Sequence, residues 1–536
     1  MKRLFFLAAL PFLGACGGGG GGGGSVTVTP PTTATPAAPS DDWTTYAHDT
    51  QRTGYETQST GITRSTVQNL TLAWRATPDA ACAAPAEADA VVVDEASPLA
   101  ADGLVYYADA CGSVAALSAA TGDTVWQTQI SVPALGGAQG TPSLDTSHNL
   151  LIVPMHGSDP SDCVTLPCAT PASGGFLVAL NATNGQIVWQ QTPLTKGNLR
   201  GEPIVVNGVV YEGLAGGDTF SGATNGGIFA IDESTGSLLA GTSMPMVQAA
   251  PVGESYDGGG SWSPISYDGA GTLYFGFGNT VNDDGLQDSV ASLNLPTRQL
   301  VQNFSLATYD GDSSDEDVGG GEMLWGGDLY FEGKNGTFYG YSLSSPNVPF
   351  VETVVAPGTQ PHGNGPIFTP TTDGSVIAAA SGYNTLTPQV SSTLYLFPVG
   401  SDAQKCSLQA TNSALYSYAA FVNGVGFTGL DNDAPNGAPD GSTNGPAPAF
   451  IAFDDNCNVL WRAQTTDLLA YFYGGPAVVP SGVYAIDNMG NVYSWKLPSA
   501  MTTARKRALA ARTLIRPGVR SSIRTTQYLR RARNYR

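Results

Sequence analysis

One segment of this chain recurs, and that recurrence limits its possible folds more than any other property. Residues 116–126 read Ala-Leu-Ser-Ala-Ala-Thr-Gly-Asp-Thr-Val-Trp, and residues 179–189 read Ala-Leu-Asn-Ala-Thr-Asn-Gly-Gln-Ile-Val-Trp. A third copy, from Ala230-Ile231-Asp232 to Thr235-Gly236, lacks the Trp; a fourth, from Ala452-Phe453-Asp454 to Leu460-Trp461, lacks the Thr-Gly. Each copy reads as a short apolar strand, a tight turn at glycine, and a second strand ending on a large aromatic. A supersecondary unit repeated every few tens of residues predicts an array in which each unit buries its apolar face against the next.

Between the copies the same grammar continues. Ser97-Pro98, Thr141-Pro142, Glu202-Pro203, Ser263-Pro264, Gly365-Pro366 and Gly475-Pro476 each precede an apolar strand that often carries Tyr. Examples of such strands are Leu104-Val105-Tyr106-Tyr107, Val209-Val210-Tyr211 and Val483-Tyr484-Ala485-Ile486. Eight units fit between Ser97 and Leu497 at about 50 residues each, the size of a four-stranded propeller blade. The last unit ends at Trp495-Lys496-Leu497 with no closing strand, and Leu70–Arg75, ahead of the first unit, supplies one. The expected fold is therefore all-β, an eight-bladed propeller closed by its N-terminal strand, which leaves no exposed sheet edge.

Composition agrees. With 67 Gly and only 12% charged residues, the chain suits many strands joined by turns. Charge is distributed unevenly: residues 501–536 carry 11 Lys/Arg and no acid, leaving 12 Lys/Arg against all 44 Asp/Glu in residues 1–500. An acidic body excludes nucleic acid as a partner on electrostatic grounds. The basic tail, 499–536, suits contact with anionic headgroups, folding back on the body, or a solvated extension. Six cysteines besides Cys16 suggest an oxidising compartment, with expected pairs Cys82–Cys111, Cys163–Cys168 and Cys406–Cys457. The four histidines, His48, His148, His156 and His362, show no metal-ligand spacing along the chain.

At the N-terminus, Lys2-Arg3, the apolar run Leu4–Phe12 and Leu13-Gly14-Ala15-Cys16 resemble a bacterial lipoprotein signal with its lipobox. The resemblance implies a signal peptide over 1–15, a diacylated Cys16 as membrane anchor, and a Gly/Pro/Thr-rich tether over 16–41. Gly17, where retained lipoproteins carry Asp, resembles the pattern for delivery to the outer membrane, with the body facing the periplasm.

The body, 42–498, resembles the quinoprotein-type eight-bladed propellers, the fold of dehydrogenases that depend on pyrroloquinoline quinone (PQQ). The same fold serves non-catalytic lipoproteins of the outer-membrane assembly machinery. The opening Asp42-Trp43-Thr44-Thr45-Tyr46-Ala47-His48-Asp49 with Arg52-Thr53-Gly54 is similar to that of many members, and the repeat Trp is a blade-docking residue in this family. Gly258-Gly259-Gly260-Ser261-Trp262 resembles the segment whose Trp forms the floor beneath the quinone. Tyr274–Asn279 resembles the segment whose Asn ligates calcium, and Gly216-Gly217-Asp218 stands where the family places a calcium-binding Glu. Phe304–Asp310 resembles the stretch ending in the catalytic Asp, and Lys334–Tyr339 the stretch whose Lys contacts the quinone oxygens.

The resemblance thus implies PQQ on Trp262 and Lys334, Ca2+ on Asp218, Asn279 and Asp310, and Asp310 as the base toward an alcohol-type substrate. These oxygen ligands are the hard donors calcium takes. The dehydrogenases also carry an adjacent Cys pair and a nearby Arg above the cofactor, and Gly136–Thr141, the corresponding region here, has neither. Two functions follow from the resemblance: a PQQ- and calcium-dependent dehydrogenase passing electrons to a separate acceptor, or a propeller scaffold binding other envelope proteins.

Overall fold

The computed structural model describes residues 42–498 except 59, 79–95, 131–136, 157–173, 193–198, 215–226, 240–246, 249–259, 279–288, 298, 306–317, 356–367, 382–390, 412–414, 417 and 431–448. Eight antiparallel sheets follow one another along the chain, each beginning on a short inner strand and ending on an outer one. In blade 1 these are Leu99–Ala101, Leu104–Ala108, Ser113–Ser118 and Thr124–Gln129. The first three strands are almost wholly buried, whereas Trp126 is the one buried residue of the fourth. Continuous apolar runs therefore form the middle of each blade, and the outer strand meets solvent with a single aromatic turned inward. No described helix is long and apolar enough to cross a membrane.

The ring closes as expected. Thr71–Ala76 pairs antiparallel with Val492–Lys496 and becomes the outer strand of blade 8. Ser97 Oγ accepts from the Gly475 backbone N–H at 2.9 Å, and the Ser97 N–H donates to Thr141 Oγ1 at 2.9 Å, so the inner ends of blades 8, 1 and 2 are latched in series.

The repeat motif is a docking joint between blades. The Trp indole N–H of one blade donates to a turn carbonyl of the next: Trp74 to Ala119 at 3.1 Å, Trp126 to Ala182 at 2.9 Å, Trp189 to Glu233 at 2.7 Å. Trp461 donates to Leu70 at 3.1 Å, ahead of the strand that closes blade 8. The turn glycine receives the indole face. Gly122 and Gly236 have φ of +78° and +70°, and a Cβ on either would lie 2.7 and 2.5 Å from the Trp ring. Only glycine meets both demands.

Blade 7 explains the copy that lacks Thr-Gly. Cys457 occupies the turn at φ +61° and is disulfide-bonded to Cys406 of blade 6. Cys406 pairs with Leu396 just as Trp126 pairs with Ala116, and both partners stand in the same cross-strand row of their blades. A covalent bond between blades 6 and 7 thus replaces the Trp-on-Gly contact. It closes a 51-residue separation, so Cys406→Ala with Cys457→Ala should lower stability by roughly 2–4 kcal/mol in urea melts. An unchanged midpoint would mean that the strand pairing alone holds this joint. Cys111 is also disulfide-bonded; its expected partner Cys82, and the expected pair Cys163–Cys168, lie outside the described residues.

Residues 43–56 line the inner ends of the blades. Trp43 bridges Ala100 in blade 1, and the carbonyls of Thr44, Thr50, Gln51, Thr53 and Gly54 accept the backbone N–H groups of Leu144, Tyr267, Leu324, Thr372 and Phe421. Those donors sit on the inner strands of blades 2, 4, 5, 6 and 7. One short segment therefore satisfies edge groups that an inner strand would otherwise leave unpaired. Tyr55–Glu56 ends it as a parallel fifth strand on blade 7. Following all these edges forces left-handed backbone at Ala47, His48 and Arg52 as well as at Gly54.

Candidate functional site

Trp262 and Lys334, 72 positions apart in sequence, meet in the fold. The Lys334 ammonium lies 4.8 Å from the centroid of the Trp262 ring, within the range of a cation–π contact. Trp262 follows Gly260, which bridges Gly278, and Ser261, whose N–H donates to the Leu214 carbonyl at 3.2 Å. Ser263 next to it accepts the Gly276 N–H on Oγ at 2.9 Å. The tryptophan is thereby held between blades 3 and 4.

Lys334 lies in the four-residue turn Gly333–Gly336 of blade 5. The turn closes through the Gly336 N–H on the Gly333 carbonyl at 2.9 Å, and Gly336 takes φ +81°. Asn335 stiffens it by accepting from the Thr337 N–H at 3.1 Å and donating to the Tyr339 hydroxyl at 2.8 Å. Lys334 is only 8% exposed, so its charge is turned toward the protein.

Asp218, Asn279 and Asp310 lie outside the described residues, as does Cys16. The described ends beside them nevertheless converge: Leu214 on Ser261, Gly278 on Gly260, and Val318 on Phe277 through a 3.3 Å hydrogen bond.

Several charged groups were not singled out from sequence. Arg52 is fully buried, donating from Nε to the Ile265 carbonyl (2.9 Å) and from Nη1 to Thr45 Oγ1 (2.6 Å) and the Tyr46 carbonyl (2.9 Å). Burial pulls its pKa down, opposed by the fields of Glu202, Asp49 and Glu322. Glu212, Glu322 and Glu332 are fully buried, and burial raises each carboxyl well above its ordinary value. Glu332 accepts the Ala380 N–H at 2.7 Å; Glu322 faces Ser263, and its backbone carbonyl accepts the Ser266 hydroxyl. Glu212 lines a cavity of about 360 Å³ between blades 2 and 3, among Leu177, Leu199, Phe229 and Ile231, and this cavity does not reach Trp262 or Lys334. The available signal was an acid inside an apolar strand, as in Val209-Val210-Tyr211-Glu212 and Leu329-Tyr330-Phe331-Glu332.

His148 also acquires partners that the sequence spacing concealed. Asp145, His148 and Glu233 gather where blade 2 meets the docking turn of blade 3. Burial, then the hydrogen-bonded Asp145 carboxylate, raises Glu233 to about 7. Burial also penalises the Asp145 carboxylate, but hydrogen bonds from Ser147 and His148 outweigh this and hold it well below its ordinary value.

Residues 43–285 match the family described as PQQ: glucose/ethanol/alcohol dehydrogenase, beta-propeller domain. Over that stretch the propeller is similar to the PQQ type. It resembles the quinohemoprotein alcohol dehydrogenase of Comamonas testosteroni (TM-score 0.62, 17% identity, 86% of this chain and 81% of that one). The quinohemoprotein alcohol dehydrogenase of Pseudomonas putida HK5 gives TM-score 0.59 at 15% identity, covering 85% of this chain and 80% of that one. BamB from Moraxella catarrhalis gives TM-score 0.53 at 12% identity, covering 80% of this chain and 99% of that one. At such identities the likeness to these structures is one of fold. No curated protein sequence matches the chain.

Proposed function

We propose that this PQQ-type propeller is a cofactor-dependent dehydrogenase of alcohol-type substrates, anchored to the outer membrane through Cys16 and facing the periplasm. The observation that carries the reading is the Lys334 ammonium beside the Trp262 face. An indole face suits a planar fused ring, and a buried cation suits its quinone and carboxylate oxygens. These two residues fit PQQ, and Asp218, Asn279 and Asp310 offer oxygen donors for Ca2+. Bound there, the quinone would supply the two-electron acceptor. Trp262 would fix the plane of the ring and Lys334 its register. Asp310 would take the substrate hydroxyl proton as the nearby base. Electrons would leave to a separate carrier.

The expected result is tight, calcium-dependent PQQ binding by the purified full chain, with dye-linked oxidation of an alcohol. Trp262→Ala should weaken PQQ binding by at least about fivefold, an indole stack being worth roughly 1 kcal/mol or more. Asp310→Asn should lower turnover by about 100-fold or more. Absence of binding at micromolar PQQ would overturn the reading. It would favour the alternative, a propeller scaffold for other envelope proteins, which the lack of a Cys pair and Arg in Gly136–Thr141 supports.

A further inference from the structure

Blades 2 and 3 meet at a second cluster, built from residues other than those proposed to hold PQQ and Ca2+. Asp145 ends the inner strand Ser143–Asp145 of blade 2, and His148 follows in the turn to Leu150–Met155. Glu233 comes from the docking turn of blade 3, where its own carbonyl accepts the Trp189 indole N–H. His148 Nδ1 lies 2.8 Å from Asp145 Oδ2 and 3.3 Å from Glu233 Oε2, and one ligand atom from each residue falls within 4.8 Å of the others.

Two further observations point to a ligand. The Glu233 side chain is 3% exposed and its second oxygen, Oε1, has no hydrogen-bond partner among the described residues. A buried carboxylate oxygen left unpaired costs about 1–3 kcal/mol unless something fills the place. Asp145 is itself held rigidly, Oδ1 accepting from the Ser147 N–H at 2.7 Å and the Ser147 hydroxyl at 2.6 Å, which leaves Oδ2 directed at the imidazole.

We propose that Asp145, His148 and Glu233 form a divalent transition-metal site that clips blade 2 to blade 3. One imidazole nitrogen and two carboxylate oxygens are the donor set of Zn2+ and its neighbours. The ion takes the place of the proton on His148 Nδ1, and that proton leaves to solvent. His148 is 60% exposed, so the fourth position opens to water. The ion bridges the same two blades that Trp189 joins, adding a coordinate link to a docking joint built from one indole and one glycine.

The probe is Zn2+ alone, with Co2+ for its visible spectrum, added to the purified full chain without PQQ. The expected result is one equivalent of Zn2+ bound at this site and a rise in melting temperature. His148→Ala, Asp145→Asn and Glu233→Gln should each weaken binding by at least about tenfold, the least seen when even an outer-shell partner is lost. Because His148 is a surface residue, its variant should keep the wild-type circular dichroism. Trp262→Ala should bind Zn2+ as wild type, which separates this site from the proposed cofactor site. No Zn2+ binding, or binding undiminished in His148→Ala, would overturn the proposal.

Discussion

Replacing Arg52 by Met should cost about 3–5 kcal/mol, the penalty for removing one partner of a buried charge cluster. The guanidinium reaches the Ile265 and Tyr46 carbonyls and the Thr45 hydroxyl, and its field opposes the charges of Glu202, Asp49 and Glu322. Met fills a comparable volume but returns none of these. The loss should also depend on pH. Burial raises the folded pKa of Glu212 and Glu322 above the ordinary 4.5, and Arg52 partly restrains that rise. A carboxyl raised on folding contributes stability below its unfolded pKa and loses it as pH climbs through the folded value. Without Arg52 the folded values rise further, so the fall in stability that begins above about pH 4.5 should continue to higher pH, and be larger in total, than in the wild type. Denaturant midpoints measured across pH test this; a loss under about 1 kcal/mol would mean the carboxylates are balanced by other groups. Arg52→Lys should fall between the two, since it keeps charge but loses the fork.

The second large effect is expected at the seam where the ring closes. Trp74→Ala should cost about 3–5 kcal/mol, because it removes a ring that is only 9% exposed and its indole hydrogen bond to Ala119. Gly122→Ala should cost less but through the same joint. Its φ of +78° disfavours any Cβ by about 1–2 kcal/mol, and that Cβ would lie 2.7 Å from the Trp74 ring. The two effects should not add. With Trp74 already truncated, Gly122→Ala should retain only the backbone part of its cost, a coupling readable in a double-mutant cycle. Strict additivity would show that the glycine serves the turn alone.

For the proposed cofactor site, the sequence pointed to Trp262 and Lys334 singly, each readable as a core aromatic or a turn lysine. Their likeness to family segments suggested a common site, but only the fold sets the ammonium over the ring. The Asp145–His148–Glu233 cluster was hidden for a related reason. Two of its members are three residues apart, but the third arrives from the next blade, 85 positions beyond His148. No local spacing encodes that meeting.

The repeat by itself determined the blade count, the strand order and ring closure by the N-terminal strand. Each of these rests on periodic apolar runs and turn glycines, which are local and therefore written in the chain. Only the tertiary structure decided that Cys457 takes the place of a docking glycine and that residues 43–56 satisfy the inner strands of the blades. Only the tertiary structure, too, buries Arg52 among acids from distant blades. Burial and charge pairing depend on which blades face each other, and a closed ring sets that through contacts spanning hundreds of residues.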